Sequence, residues 1–210
     1  RHNVLILASS FPTELQAGHV VNRAMLFGPE GILGHQDKLI MTRFENEQWG
    51  IRAGERIGVI DTELGRIGIL ISDDPEFPMI ARQQITAGAE LLLVPSCTDT
   101  QAGFHRVRIG CQARALENQC YVVQSPTIGL APWSEAVDVN TGRASVYTPV
   151  DYGFPDNGIL VEGADDEANW VFATLDLREL ARIRAEGQVF NHRDWPKQLA
   201  LKGPEQAAFS

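Results

Sequence analysis

No apolar run in this 210-residue chain approaches the ~20 residues a helix needs to cross a bilayer, so no membrane-spanning part is expected. Basic side chains are in deficit, 18 Lys and Arg against 27 Asp and Glu, for a net charge of -9. That balance argues against nucleic acid or an anionic membrane as partner. Three cysteines, Cys97, Cys111 and Cys120, show neither a paired framework nor metal-ligand spacing. Neither a metal nor another cofactor is therefore expected, and a reducing cytoplasm suits such cysteine usage. Internal repeats and low-complexity segments are absent. So is a Gly-x-Ser-x-Gly elbow, and His2, His19, His35, His105 and His192 stand in no recognisable base motif, which disfavours a serine hydrolase. There is no initiating Met and no signal peptide. Arg1-His2-Asn3 runs straight into the apolar residues 4–8, so the chain is expected to begin inside a domain.

What is present is enough hydrophobic sequence, 44%, for one domain with a substantial core. The most informative stretch is Gly65-Arg-Ile-Gly-Ile-Leu-Ile-Ser72-Asp-Asp-Pro-Glu-Phe-Pro78. Residues 67–71 read as a strand buried on both faces, broken by Asp73-Asp74-Pro75. A helical pattern follows, with Pro75 or Pro78 suited to its first position. Ser72 then falls on a tight strand-to-helix turn, where α/β enzymes often hold a nucleophile because backbone N–H groups can meet an oxyanion. A serine there can equally just cap a helix.

Elsewhere, residues 4–8 read as a short buried strand ended by Ser9-Ser10-Phe11-Pro12. Residues 20–27 and 32–38 form a hairpin about Gly28-Pro29-Glu30-Gly31, which sets Lys38 at the edge of an apolar stretch. Residues 42–54 look irregular and carry Glu45, Glu47 and Trp49. Residues 56–61 and 66–71 make a second hairpin, and Gly88 stops the helix after Pro78. Residues 90–96 are a buried strand, 106–119 a helix and 120–124 a strand. Within that helix Arg114 and Glu117 lie one turn apart, as a structural ion pair would. Loops should fill 127–157 around a short strand at 145–147. Residues 159–161 and 170–175 complete a sheet edge, and 177–184 form a last helix. The alternation indicates an α/β layered domain with a mixed sheet over residues 1–187. Residues 188–210 form a tail that packs on another subunit or lies disordered.

Four stretches together resemble the nitrilase superfamily of carbon–nitrogen hydrolases. They are Gly31-Ile-Leu-Gly-His-Gln-Asp-Lys38, Gly65 to Pro78 as quoted, Ala87-Gly-Ala-Glu-Leu-Leu-Leu-Val-Pro-Ser96, and Ala113-Arg-Ala-Leu-Glu-Asn-Gln-Cys-Tyr-Val-Val123. The resemblance covers nearly the whole chain. It implies an αββα sandwich that assembles as an αββααββα homodimer and cleaves a small amide or nitrile. Its site combines glutamate, lysine and cysteine: the thiol attacks carbon, a glutamate moves protons and the lysine stabilises negative charge. By position Lys38 matches the lysine, Glu45 the second glutamate (with Glu47 competing), and Ser72 the cysteine. Asp73 and Glu76 fall where oxyanion and substrate contacts are expected. Asp directly after the nucleophile is also found in aliphatic amidases of the superfamily.

Two departures follow from this resemblance. The family's general-base glutamate precedes the lysine on a strand, whereas Glu14 here reads as part of a polar loop and Glu30 as part of a turn. Ser72 also replaces a thiol with a hydroxyl that ionises far less readily. Either a substitution made to trap substrate or a homologue that has lost catalysis accounts for the serine, and the intact surroundings of Lys38 favour the first. The chain itself is therefore expected to be inactive or severely impaired. The competing function is a non-catalytic module that binds an amide-like ligand or a partner subunit.

Overall fold

Strand β1 (Ile6–Gln16) runs antiparallel to β2 (His19–Gly28), which turns back into β3 (Gly31–Asp37). These coordinates come from a computed structural model that describes residues 2–203. Arg1 and residues 204–210, the end of the expected tail, lie outside the described residues. The short buried strand expected at 4–8 is corrected on two counts. β1 continues through Pro12, which pairs with Asn22, and most of it is exposed. It ends the strand order of its sheet, so a proline N can face away from the ladder at no cost in hydrogen bonds. Glu14 consequently lies on β1 opposite Val20, not in a loop, and its carboxylate accepts the Gly18 N–H at 3.0 Å.

The segment expected to be irregular at 42–54 contains helix α1 (Arg43–Glu47) and strand β4 (Ile51–Arg52), which pairs parallel with β2. Its N-terminus is a reciprocal cap. Thr42 Oγ1 accepts the Glu45 N–H at 3.2 Å, and Glu45 Oε2 accepts the Thr42 N–H at 2.9 Å. A Thr-x-x-Glu spacing encodes this cap locally.

The second sheet is built from β5 (Val59–Thr62), β6 (Gly65–Ile69), β7 (Leu91–Ser96) and β8 (Tyr121–Pro126). Two small strands, β9 (Gly129–Leu130) and β10 (Val139–Asn140), pair with each other before β11 (Ser145–Tyr147) and β12 (Ile159–Glu162) extend the sheet. Its order is β12-β11-β8-β7-β6-β5, with β6, β7 and β8 parallel. Parallel strands need crossovers, supplied by α2 (Pro78–Thr86) and α3 (Gln101–Asn118). α3 starts earlier than its apolar pattern indicates, because Thr100 caps it by accepting the Gly103 N–H at 3.1 Å.

Two apolar layers hold the architecture. Ala24, Leu26, Ile67, Ile69 and Ile71 fill the space between the sheets. Leu70, Ile80, Leu92, Val94, Val107 and Cys111 join the second sheet to α2 and α3. The side-chain alternation of a strand makes both layers possible along 67–71. This is an α/β fold of two facing sheets, with α2 and α3 over the second. On the first sheet Ile6, Phe11, Leu15 and Ile32 are exposed.

The strand expected at 170–175 does not form. Trp170 and Phe172 lie in the open, stacked on each other at 6.3 Å, and the sheet ends at β12. β-favouring side chains alone do not make a strand when the segment pairs with no neighbour. Helices α4 (Leu177–Glu186) and α5 (Asn191–Asp194) follow. Near α5, the Gln119 side chain donates to the Val189 carbonyl at 3.2 Å and accepts the His192 N–H at 3.1 Å. All three cysteines are free, and burial pushes the Cys120 thiol up to about 12. Among the described residues, no helix is long and apolar enough to cross a membrane.

Candidate active site

Lys38 follows the last residue of β3 and is 1% exposed, a rare situation for an unbranched cation. The chain around it is tied down on every side. Asp37 makes a two-point ion pair with Arg23 (2.6 and 2.9 Å), the Lys38 N–H donates to the Asn22 carbonyl at 2.8 Å, and the Lys38 carbonyl accepts from Gly54 N–H at 2.8 Å. Gly54 is required at that contact, since a Cβ would lie 2.7 Å from the Asp37 Cβ.

The ammonium meets Glu45, Nζ to Oε2 at 2.5 Å, with both side chains buried. Burial by itself pushes the Glu45 carboxyl up, but the Lys38 charge and hydrogen bond, the Thr42 N–H and the Asn22 side chain outweigh it and hold it below its ordinary value. The cap that starts α1 therefore also holds the counter-ion of Lys38. Glu47 lies on the other face of α1, paired with exposed Arg43 at 2.8 Å. The remaining ammonium N–H groups have no protein acceptor among the described residues, leaving donors for a developing negative charge.

Ser72 sits just past β6 on a sharp turn with φ 53°. This left-handed conformation is uncommon for a residue with a side chain. Its N–H donates to the Pro95 carbonyl at 2.9 Å, extending the ladder to β7, and its hydroxyl donates to Asp73 Oδ1 at 3.2 Å. A proline opens each of the next two elements: Pro75 is the second residue of the short 3₁₀ turn (Asp74–Glu76), and Pro78 the first of α2.

Asp74 joins the two halves of the site, and sequence reasoning misses it. Fully buried, it accepts from Leu39 N–H (3.1 Å) and Ile40 N–H (2.9 Å) in the segment leaving Lys38, and from Ile71 N–H (3.0 Å) beside Ser72. Burial pushes its carboxyl up to about 6 against these donors and the nearby Lys38 charge. The only sequence-level signal was an acid directly before a proline at a strand end, which equally fits an ordinary turn. Lys38 had a stronger one, since no other lysine precedes Lys197.

Helix α3 buttresses the turn. Arg114 donates to the Pro75 carbonyl at 3.0 Å while paired with Glu117 at 2.8 Å. Gly110 lets the helix approach, because a Cβ there would lie 2.8 Å from the Pro75 carbonyl oxygen. Glu76 is half-buried and 3.8 Å from Arg106. Burial, and then the Asp73 charge, raise its carboxyl. Cys97, beyond the end of β7, donates to Asn140 Oδ1 at 3.0 Å and lies within the field of Lys38 and Glu45. An open cleft of about 240 Å³ runs beside Pro95, lined by Leu7, Ser9, Ser125 and Thr127 among others.

The structure thus brings Lys38 and Glu45 into contact and ties the Lys38 strand to the Ser72 turn through Asp74. A family model of carbon–nitrogen hydrolases matches residues 1–185. The chain belongs to that family. Among curated relatives, "Probable hydrolase YhcX" of Bacillus subtilis is 38% identical over 194 residues, which is 92% of this chain and 38% of that protein. The bovine "Omega-amidase NIT2" is 27% identical over 199 residues, 91% of this chain and 68% of that protein. The chain therefore spans well under half the length of the first of these relatives. The C. elegans NitFhit structure superposes with a TM-score of 0.73 at 24% identity, over 91% of this chain and 47% of that one. XC1258 from Xanthomonas campestris, a CN-hydrolase superfamily protein, gives 0.73 at 21% identity over 98% and 72%. These two likenesses concern the fold.

Proposed function

We propose that this chain carries the Lys38–Glu45 part of an amidase-type site that cleaves a small amide or nitrile, and that Ser72 stands where the attacking cysteine belongs. The observation that carries this reading is the buried Lys38–Glu45 pair, tied through Asp74 to the turn bearing Ser72. With a thiol at position 72, sulfur attacks the amide carbon and the Lys38 ammonium meets the oxyanion. The amine leaves as the acyl thioester forms, and water then releases the acid. The serine hydroxyl reaches its nucleophilic form far less readily in a site arranged for a thiolate. Among the described residues the family's general-base glutamate has no counterpart hydrogen-bonded to Lys38: Glu14 bonds Gly18, and Glu30 lies in the β2–β3 turn. The test is S72C in the complete protein, assayed on small neutral amides. Amide hydrolysis and a covalent acyl adduct at position 72 by mass spectrometry are expected in the variant but not in the parent. Absence of both from a folded S72C protein would reject the reading.

Substrate charge is assigned to Glu76. A half-buried carboxylate near the nucleophile repels an anionic substrate by ~1 kcal/mol or more at close range, so neutral or amine-bearing amides are preferred. In the S72C background, E76Q is expected to raise kcat/KM for a carboxylate-bearing amide relative to its neutral analogue. An unchanged ranking would remove Glu76 from substrate selection.

The chain is further proposed to work as a homodimer through α3, where Ile109 and Leu116 are exposed, in a soluble cytoplasmic setting. Light scattering at micromolar concentration should give twice the chain mass, and a monodisperse monomer would count against it.

A further inference from the structure

Asn22 touches both partners of the central ion pair. It lies on β2, where its backbone carbonyl accepts the Lys38 N–H at 2.8 Å. Its side-chain Nδ2 donates to Glu45 Oε1 at 3.2 Å. The two oxygens of Glu45 are thus divided: Oε2 takes Lys38 Nζ and the Thr42 N–H, and Oε1 takes Asn22. At its other end the Asn22 amide leaves Oδ1 buried without a partner. An orphaned buried acceptor is costly, yet turning the amide over would set that oxygen against a carboxylate. The orientation is therefore imposed by Glu45, with the N–H end held toward the charge.

We infer that Asn22 is a positioning residue of this site, holding Glu45 ionised and in the rotamer that fixes the Lys38 ammonium. The inference rests on reading Lys38 and Glu45 as the working pair. Glu45 is faced by Lys38 from the end of β3, by the Thr42 N–H from the cap of α1 and by Asn22 from β2. Cys97 lies within the field of Glu45, and Asp74 and Glu76 lie within that of Lys38. A donor to the ionised form lowers the pKa, and its removal raises it. Both N22A and the isosteric N22D keep the backbone carbonyl that holds Lys38. N22A deletes the donor, and N22D puts a second carboxylate in its place.

The readout is the titration of the Glu45 side-chain carbon, followed by carbon-13 NMR in the full chain and assigned by loss of the signal in E45Q. The Glu45 midpoint is expected to move upward in N22A and further upward in N22D. In the S72C background N22A should lower kcat/KM roughly tenfold, with the acid limb of its pH profile displaced in the same direction. An unmoved Glu45 midpoint in folded N22A overturns the inference, and N22A alone suffices if N22D does not fold. The NMR titration needs no activity, so an inactive S72C protein would reject the amidase reading while leaving Asn22 to be judged on Glu45 alone.

Discussion

Replacing Lys38 with Met should lower stability by about 3–5 kcal/mol, the usual cost of removing one partner of a buried ion pair. In a chain of this size that corresponds to a fall in Tm on the order of 10 °C. Methionine fills much of the lysine volume, so the loss comes mainly from the Glu45 carboxylate, left buried without its cation. Its dependence on pH identifies the cause. In the parent, the Glu45 carboxyl sits below its ordinary value. It therefore contributes stability above the unfolded pKa and loses it as pH falls through the folded one. In K38M the burial that pushes this carboxyl up is no longer opposed by an ammonium, so the variant is destabilised as pH rises and Glu45 ionises. The deficit of K38M relative to the parent should be largest near neutrality and shrink toward pH 4. Urea denaturation across that range checks it. A deficit below 1 kcal/mol, or one constant with pH, would mean that the pair carries little of the local stability.

Asp74→Ala should cost about 3–9 kcal/mol, because the N–H groups of Leu39, Ile40 and Ile71 lose their acceptor together and each buried orphan costs about 1–3 kcal/mol. Here the sign with pH is opposite. Burial raises this carboxyl to about 6 from an ordinary 3.8, so the folded state binds its proton more tightly than the unfolded chain does. That contribution is present at mildly acid pH and is lost as pH rises through about 6. The gap between parent and D74A should therefore narrow from pH 5 to pH 7.5, while that of K38M widens. Hydrogen exchange at Leu39, Ile40 and Ile71 supplies a local check, since all three amides should lose protection together. If they stay protected, another acceptor holds this segment and Asp74 does not couple the halves of the site.

Much of this was legible locally. The apolar run at 67–71, the Asp-Asp-Pro break and the proline-started helix follow from short-range rules, as does the β2–β3 hairpin that delivers Lys38. The second sheet was readable because parallel strands buried on both faces are near-continuous apolar runs, as Leu91, Leu92, Leu93 and Val94 are. Where reading failed, the deciding partner was remote. Pro12 stops a strand by the local rule and is accommodated because its strand lies at an edge. Trp170 and Phe172 have strand-forming side chains, yet they stack on each other in the open and pair with no strand.

The sequence by itself determined the α/β class, the nitrilase-like order of motifs, and the placing of Lys38 at a strand end and Ser72 on a turn, because these depend on periodicity and on residues a few positions apart. Only the tertiary structure decided which acid meets Lys38. Glu45 and Glu47 are two residues apart on one short helix, so they point in different directions, and the Thr42 cap turns Glu45 inward while Glu47 stays with Arg43 in solvent. Only the tertiary structure, too, gave Asp74 and Asn22 their partners. Asp74 reaches Leu39 and Ile40 across 35 and 34 positions of sequence, and Asn22 reaches Glu45 across 23. Contacts at such separations come from tertiary packing, between the sheets for Asp74 and within the first sheet's own unit for Asn22, which no local pattern encodes.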